Sequence, residues 1–240
     1  MTDIRFLGQS CFELTDGSTR VLIDPFLKPN NPISPVTADE IEAPTQILVT
    51  HAHADHLADA AGIAKRTGAP IAAVVELADW FDTLGVEETS DPNLGGTVKF
   101  DGGWAKLVQA FHTSTAPGEG AANPFSAVSG VAIGQAAGWV VNVGGTTVYH
   151  LGDTCLFGDL KLIAQRTPVD VALVPIGGHY TMDREDAVVA VDLIAPKVVI
   201  PMHYNTFPPI ETDAEAFKAE VEAQTSSQVV ILQPGESHSV

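Results

Sequence analysis

Residues 50–57 read Thr50-His51-Ala52-His53-Ala54-Asp55-His56-Leu57, and this stretch decides how the whole chain is interpreted. Three histidines and one aspartate lie within six residues, directly after an apolar, strand-like segment. In an extended segment alternate side chains point the same way, so His51 and His53 can converge on one point. A helix that begins near Asp55 would aim Asp55 and His56 at an adjacent point. Because imidazole and carboxylate groups bind zinc and similar divalent ions, the stretch predicts a metal site rather than a solvated, His-rich surface loop.

Three further candidate ligands follow other apolar segments of the chain. With the segment that precedes each, they are His112 after Leu107–Phe111, Asp153 after Thr147–Tyr149 and His203 after Val198–Ile200. Ligand sites in open α/β sheets lie past the carboxyl ends of the strands. Buried ionisable groups without a partner are costly, and metal coordination is one way to satisfy them. The sequence therefore predicts one polar site assembled from distant parts of the chain.

Strand-like and helix-like segments alternate along the chain, which favours an α/β fold. The first three apolar runs are short and separated by turn residues, as in an antiparallel meander. The spacing of apolar residues predicts a helix over Asp55–Thr67. No linker divides the chain convincingly, so we expect one domain over residues 1–240, with helices on the outer faces of a pair of sheets. The tail around His238 is expected to be solvated.

The composition narrows the classes of function. Twelve Lys and Arg stand against thirty Asp and Glu, a formal net charge of −18, and the sequence shows no Lys/Arg cluster. Such a surface repels polyanions, so nucleic acid is a poor partner. No run approaches the roughly 18 apolar residues of a membrane span. The N-terminus also lacks the features of a signal peptide. We therefore expect a soluble, cytoplasmic protein without membrane contact.

Two cysteines, Cys11 and Cys155, are too few for a disulfide framework. Each is expected to be a small buried hydrophobe. An active-site role for Cys155, two residues after Asp153, is the alternative interpretation.

The stretch THAHADHL resembles the His-x-His-x-Asp-His signature of the metallo-β-lactamase superfamily. That family's other motifs have counterparts here in the same order: Asp24, His112, Gly152-Asp153 and His203. The resemblance implies a four-layer αββα sandwich with two metal ions in a groove at the sheet edges. It implies that one ion is held by His51, His53 and His112, that the other is held by Asp55, His56 and His203, and that Asp153 bridges them. Asp24 would steady the histidine loop through hydrogen bonds.

A finer resemblance is to uncharacterised metal-dependent hydrolases close to ascorbate-6-phosphate lactonase. The segments that carry it are 152–159, 175–182 and 201–208. The group has no settled substrate to carry over. Specificity is expected to lie in two long loops, Pro25–Pro44 and Thr113–Ser126, because long loops often border functional sites.

The resemblance implies a hydrolase in which hydroxide, generated by two divalent ions, attacks an ester, lactone or phosphoester of a small molecule. Zinc is the first choice of metal, and manganese, iron, nickel or cobalt fits the same ligands. Asp55 is expected to orient the attacking group or accept its proton, and His179 to bind substrate or stabilise the oxyanion, with a hydrogen-bonding structural role as its alternative. Tyr204 and Asn205 flank a ligand and are further candidates for substrate contact.

Two other functions stay open from the sequence: a phosphodiesterase or nuclease acting on RNA or DNA, and a metal-binding protein without turnover. The charge balance disfavours the first, and the intact ligand set disfavours the second. Related proteins assemble into homo-oligomers, and we expect the same here.

Overall fold

The computed structural model describes residues 1–117 and 130–240, which form two seven-stranded mixed sheets and a separate two-stranded pair. In spatial order, the first sheet holds the strands Ser237–Ser239 (β16), Asp3–Gly8 (β1), Cys11–Asp16 (β2), Thr19–Ile23 (β3), Gln46–Leu48 (β4), Ile71–Ala72 (β5) and Thr89–Ser90 (β6). The strands β1, β2 and β3 form the predicted antiparallel meander, and β3 to β6 pair in parallel.

The second sheet has the same plan, with an antiparallel half and a parallel half. In spatial order it holds Gln228–Val229 (β15), Val198–Met202 (β14), Val171–Pro175 (β13), Thr146–His150 (β12), Ala137–Val143 (β11), Gly103–Gln109 (β8) and Thr97–Phe100 (β7). The parallel pairs are those from β12 to β15. The short strands Thr115–Ala116 (β9) and Val131–Ala132 (β10) pair with each other.

Helices cover the outer faces of both sheets. The α-helices of the described residues are Ala54–Leu57 (α1), Ala60–Thr67 (α2), Val75–Thr83 (α3), Leu160–Arg166 (α4), Arg184–Ile194 (α5) and Ala214–Gln224 (α6). Two single-turn 3₁₀ helices span residues 38–40 and 208–210. The longest of these helices, α5 and α6, have 11 residues each, so none in the described part of the chain is long enough to cross a membrane.

The layering follows from the alternation of buried side chains along β13. Val171 and Leu173 belong to the core cluster that contains the first sheet, whereas Ala172 and Val174 belong to the cluster under α4, α5 and α6. A strand whose two faces are both covered is apolar at every position, as β13 is. This arrangement confirms the predicted αββα sandwich.

One local prediction was wrong. The helix expected over Asp55–Thr67 is two helices, α1 and α2, because the backbone N–H of Asp59 donates to Pro25 O at 3.1 Å and the Asp59 carboxylate accepts from Leu27 N at 2.7 Å. The chain therefore turns at Asp59, where it is hydrogen-bonded to the loop that follows β3. The tail around His238 is an ordered strand, since β16 pairs with β1 and places His238 opposite Ile4, but its residues are exposed or half-buried, as expected of a solvated tail.

Strand ends determine where the predicted ligands lie. Asp24 directly follows β3, and the histidine stretch follows β4 in the first sheet. His112, Asp153 and His203 follow β8, β12 and β14 in the second sheet. The candidate site thus forms at one edge of the sandwich, with contributions from both sheets.

Candidate metal centre

Four side chains could hold one ion: His51, His53, His112 and Asp153. The Nδ1 of His53 lies 3.0 Å from Nε2 of His51 and 3.3 Å from Nε2 of His112. The Oδ2 of Asp153 lies 3.5 Å from Nε2 of His112 and 3.9 Å from Nε2 of His51. Three imidazole nitrogens and a carboxylate oxygen therefore converge, which is a ligand set that suits zinc and its neighbours. We call these four side chains the first ligand group.

A second ligand group lies beside it and consists of Asp55, His56 and His203. The Oδ2 of Asp55 lies 3.6 Å from Nε2 of His56 and 3.5 Å from Nε2 of His203. Asp153 also reaches this group, because its Oδ1 is 3.3 Å from Nε2 of His56 and its Oδ2 is 3.1 Å from Nε2 of His203. One carboxylate thus contacts both groups, the position that a bridging ligand requires.

Buried polar atoms without hydrogen-bond partners in the described part of the chain indicate that these residues fit a metal centre. Nε2 of His56 and Oδ1 of Asp153 are buried and have no hydrogen-bond partner among the described residues, although they face each other. Proteins rarely bury polar atoms without a partner, because each such atom loses its hydration. A cation between these groups would satisfy both atoms at once.

Asp24 orients the histidines from behind. Its Oδ1 accepts from Thr50 N at 2.8 Å, and its Oδ2 accepts from Thr50 Oγ1 at 2.7 Å and from Nδ1 of His56 at 2.7 Å. Because Thr50 Oγ1 donates to Asp24, it accepts from Nδ1 of His51, 2.9 Å away. Both imidazoles therefore carry their proton on Nδ1 and turn Nε2 towards the ligand groups. Asp24 fixes the tautomers of His51 and His56 in this way.

The two groups differ in charge. Burial lowers the pKa of His51 well below its usual range, and burial together with His112 lowers the pKa of His53 to about 4. The first group therefore holds neutral imidazoles that bind a cation without losing a proton. Burial also lowers the pKa of His112.

Ion pairs dominate the second group. Burial opposes charge on His203, but Asp153 and Asp55 outweigh it and raise its pKa to about 9. The pKa of His56 is raised well above its usual range, because Asp153 and Asp55 outweigh burial there too. Burial alone would raise the pKa of Asp55, but His56 and His203 lower it to about 2. Without metal, this group is a set of buried imidazolium–carboxylate pairs.

Gln9 is a part of the site that the sequence did not reveal. Its Nε2 donates to Oδ2 of Asp55 at 2.9 Å, and its backbone oxygen accepts from His203 N at 2.8 Å. Gln9 and His203 both have left-handed backbones, with φ of 58° and 54°, as does Asp24 with φ of 47°. Such conformations are strained for residues other than glycine, and they cluster at functional sites. A glutamine in the turn between two strands carries no sequence signal of this role.

His150 joins the two sheets behind Asp153. Its Nδ1 accepts from Gly152 N at 3.1 Å, so its Nε2 carries the proton and donates to Ser10 O at 2.9 Å. The loop that carries Asp153 is thereby tied to the turn that carries Gln9.

A cavity of about 440 Å³ opens onto the ligand groups, of which His53, Asp55, His112, Asp153 and His203 line it. Its residues outside the ligand groups are Gln9, Ala54, Thr113, Thr115, Tyr180, Phe207, Pro209 and Ile210. From the predicted specificity loop Thr113–Ser126, Thr113 and Thr115 line the cavity, whereas residues 118–126 lie outside the described part. The loop Pro25–Pro44 contributes no lining residue among those described.

The predicted catalytic His179 does not reach the cavity in the part of the chain that the structure describes. Its side chain is exposed, and the neighbouring Tyr180 lines the cavity instead. Gly177 does not face a ligand: a Cβ there would collide with the backbone of His203 and with Ile210, so this glycine lets two loops pack together. A catalytic role for His179 stays a prediction.

The structure also shows the surroundings of the candidates Cys155, Tyr204 and Asn205. Cys155 is exposed, so the expectation that it is buried was wrong, whereas Cys11 is buried as expected. Tyr204 packs against the core under α4, α5 and α6. Asn205 holds its own loop together, since its Oδ1 accepts from Thr212 N at 2.8 Å and its N donates to Ile210 O at 2.9 Å.

Comparisons with known proteins agree with this geometry. The sequence model of the β-lactamase superfamily domain matches residues 3–203. A protein from Symbiobacterium thermophilum, named a UPF0173 metal-dependent hydrolase, is 45% identical over 240 residues and 99% of each chain. A protein of the same name from Thermus thermophilus is 43% identical over 236 residues and 98% of each chain. The solved structure of Igni18, a metallo hydrolase from Ignicoccus hospitalis, superimposes with a TM-score of 0.85 at 35% identity and covers 99% of this chain and 97% of its own.

Proposed function

The chain belongs to the metallo-β-lactamase superfamily and is a metal-dependent hydrolase, and from this membership and the geometry of its ligand groups we propose that it uses two divalent ions to hydrolyse an ester, lactone or phosphoester of a small molecule. One observation carries the proposal: two groups of convergent ligand atoms lie side by side and share the Asp153 carboxylate. A site for a single ion has no need of the second group.

We assign the ions to the two ligand groups. The first would be held by His51, His53 and His112, and the second by Asp55, His56 and His203, with Asp153 in contact with both. Zinc is the proposed metal, because the ligands are imidazole nitrogens and carboxylate oxygens, and the same ligands accept manganese, iron, nickel or cobalt. A bound pair of divalent ions acidifies water and polarises the bond to be cleaved.

The chain's own residues supply orientation and proton transfer. Asp55 lines the cavity, and Gln9 holds one of its two carboxylate oxygens by a hydrogen bond. We propose that the Asp55 carboxylate orients the attacking water and takes its proton, since a group within reach of the reacting atoms is the first requirement of a general base. Asp24 keeps His56 and, through Thr50, His51 in the tautomers that bind metal.

The surface charge disfavours nucleic acid as the substrate. With a net charge of −18, the protein repels a polyanion at long range. We further propose that residues 1–240 act as one domain, because both sheets supply ligands to the same site. Assembly into a homo-oligomer stays a prediction.

Metal content tests this proposal. Protein purified without added metal, then loaded with zinc and dialysed, is expected to hold two ions per chain by elemental analysis. Asp153→Asn removes the shared carboxylate charge and is expected to hold one ion or fewer and to lose hydrolysis of ester, lactone and bis(p-nitrophenyl) phosphate substrates.

The matched control for that variant is Asp170→Asn. Asp170 pairs with Lys197 at the surface, at 2.7 Å, far from the ligand groups. This control should keep two ions and full activity. A folded wild-type protein that never holds more than one ion under any loading would overturn the two-ion mechanism.

A further inference from the structure

We infer that the substrate's non-reacting part is uncharged and apolar, and that it binds against a wall formed by Tyr180, Phe207 and Pro209. We call these residues the apolar wall. The inference rests on the proposed hydrolytic function and specifies the chemical class of its substrate. It favours esters and lactones with a hydrocarbon or aryl group over substrates recognised by a phosphate or carboxylate handle, such as a sugar phosphate.

Outside the ligand groups, the described part of the cavity offers no Lys or Arg side chain to an anionic handle. None of its lining residues, within the part of the chain that the structure describes, is Lys or Arg. Residues 118–129, which lie outside that part, contain no Lys or Arg in the sequence either. Sites that recognise phosphate or carboxylate groups usually present Arg or Lys to them. The proposed ions would contact only the reacting bond, so a second anionic group would be buried in the cavity without a counter-charge.

The apolar wall is preformed. Phe207 and Pro209 lie on the loop that carries His203, and this loop is held by hydrogen bonds from Asn205 N to Ile210 O at 2.9 Å and from Ile210 N to Phe207 O at 3.0 Å. Gly177 lets the loop of Tyr180 approach this segment closely. The wall therefore keeps a fixed position relative to the second ligand group, and a substrate whose reacting carbonyl lies at the ligand groups has apolar surface beside it.

A series of p-nitrophenyl esters tests the inference on the zinc-loaded protein. If the acyl chain lies on the apolar wall, kcat/KM is expected to rise from acetate through butyrate to hexanoate by up to about fourfold per methylene. Mono-p-nitrophenyl adipate has the hexanoate chain with a terminal carboxylate in place of the methyl group, and its kcat/KM is expected to be at least roughly tenfold lower. A flat response to chain length, or equal rates for hexanoate and adipate, would overturn the inference.

Two variants test whether the dependence of kcat/KM on acyl chain length arises at the apolar wall. Phe207→Ala is expected to lower kcat/KM for the hexanoate by roughly tenfold and for the acetate by less than about threefold, because only the longer chain reaches the wall. Leu162→Ala, an exposed apolar residue on α4, is the matched control and should leave both rates unchanged.

Binding of an inert analogue separates this inference from the proposed function. N-phenylhexanamide resists hydrolysis, and its binding to the zinc-loaded protein can be measured by ligand NMR and compared with that of acetanilide. Tighter binding of the hexanamide, lost in Phe207→Ala, supports the wall even if no ester is cleaved, in which case the proposed hydrolysis fails alone. Cleavage of bis(p-nitrophenyl) phosphate with no preference for apolar chains would leave the hydrolase standing and refute the wall. If the protein cleaves none of these substrates and binds the hexanamide no more tightly than acetanilide, the proposed function and the inference are both refuted.

Discussion

Replacing Asp24 by Asn changes one atom in the network that orients the histidines of the two ligand groups. Asp24 is fully buried and accepts three hydrogen bonds, two from Thr50 and one from His56. An amide group has one oxygen and one NH₂, so at least one of these donors meets another donor. The charge that favours the Nδ1-protonated tautomer of His56 is also lost. The variant therefore tests whether Asp24 controls metal binding without touching the metal.

The expected magnitudes follow from those contacts. Loss of a partner that orients a ligand typically weakens metal binding about 10–100-fold, so the second ligand group should lose roughly 1.4–2.7 kcal/mol of binding free energy. In the metal-free protein, one hydrogen bond to a buried carboxylate disappears, which lowers the free energy of unfolding by about 1.5–3 kcal/mol. For a chain of this length that corresponds to a fall in Tm of roughly 3–12 °C.

Competition with a chromophoric chelator measures the metal affinity, and thermal unfolding of the metal-free protein measures the stability. Asp59→Asn is the control, since Asp59 also accepts a backbone N–H, from Leu27 at 2.7 Å, but does not contact the ligand groups. The control is expected to lose stability and to keep both metal affinities within about threefold. If Asp24→Asn binds both ions as tightly as the wild type, the tautomer argument is refuted.

Four further results are expected. Gln9→Leu removes the hydrogen bond to Asp55 and should weaken the second ion by about tenfold while the first is retained, as read by chelator competition. Chelation of the zinc-loaded protein should lower its Tm, because an ion that binds only the folded state stabilises it; an unchanged Tm would argue against a bound ion. The pKa of His203 is raised to about 9, so its ion pairs stabilise the metal-free protein fully below about pH 6.5. This stabilisation is lost as the pH rises through about 9. An ion must displace the proton of His203 and that of His56, whose pKa is also raised, so affinity at the second group should rise by up to about 100-fold per pH unit below pH 9, and a pH-independent affinity would contradict the assignment. His179→Ala should change kcat/KM for the hexanoyl ester by less than about threefold, whereas Tyr180→Ala should lower it by more than fivefold, roughly the loss of one apolar contact.

Much of the site could be predicted from the sequence because its chemistry is locally concentrated. The stretch from His51 to His56 places four ionisable groups where neither a core nor an ordinary loop explains them. The remaining ligands, His112, Asp153 and His203, each follow an apolar strand, and the structure brings them to the same edge of the sandwich. The alternation of strands and helices was predicted for a similar reason, since apolar runs and helical spacing are local patterns. The four-layer αββα order was expected from the resemblance to the metallo-β-lactamase superfamily.

The contacts around the ligands could not be predicted, because they join residues that are distant in the chain. Gln9 meets Asp55 across 46 positions. The contact of Asp24 with His56, across 32 positions, was expected only from the family resemblance. Glutamine in a turn has no distinctive pattern, and the exposed His179 and the lining Tyr180 are neighbours that only the loop geometry distinguishes. The break between α1 and α2 likewise depends on the contacts of Asp59 with Pro25 and Leu27.

The sequence by itself thus determined which atoms are available to bind metal and that strands and helices alternate, since both depend on residue type and short-range spacing. The four layers and the two ligand groups bridged by Asp153 were expected from the family resemblance. Only the tertiary structure decided that the two groups differ in charge, that Gln9 holds Asp55, and that an apolar wall without Lys or Arg stands beside them. Those properties depend on distances between strand ends in two different sheets. The packing of the sheets sets such distances, and local sequence does not encode them.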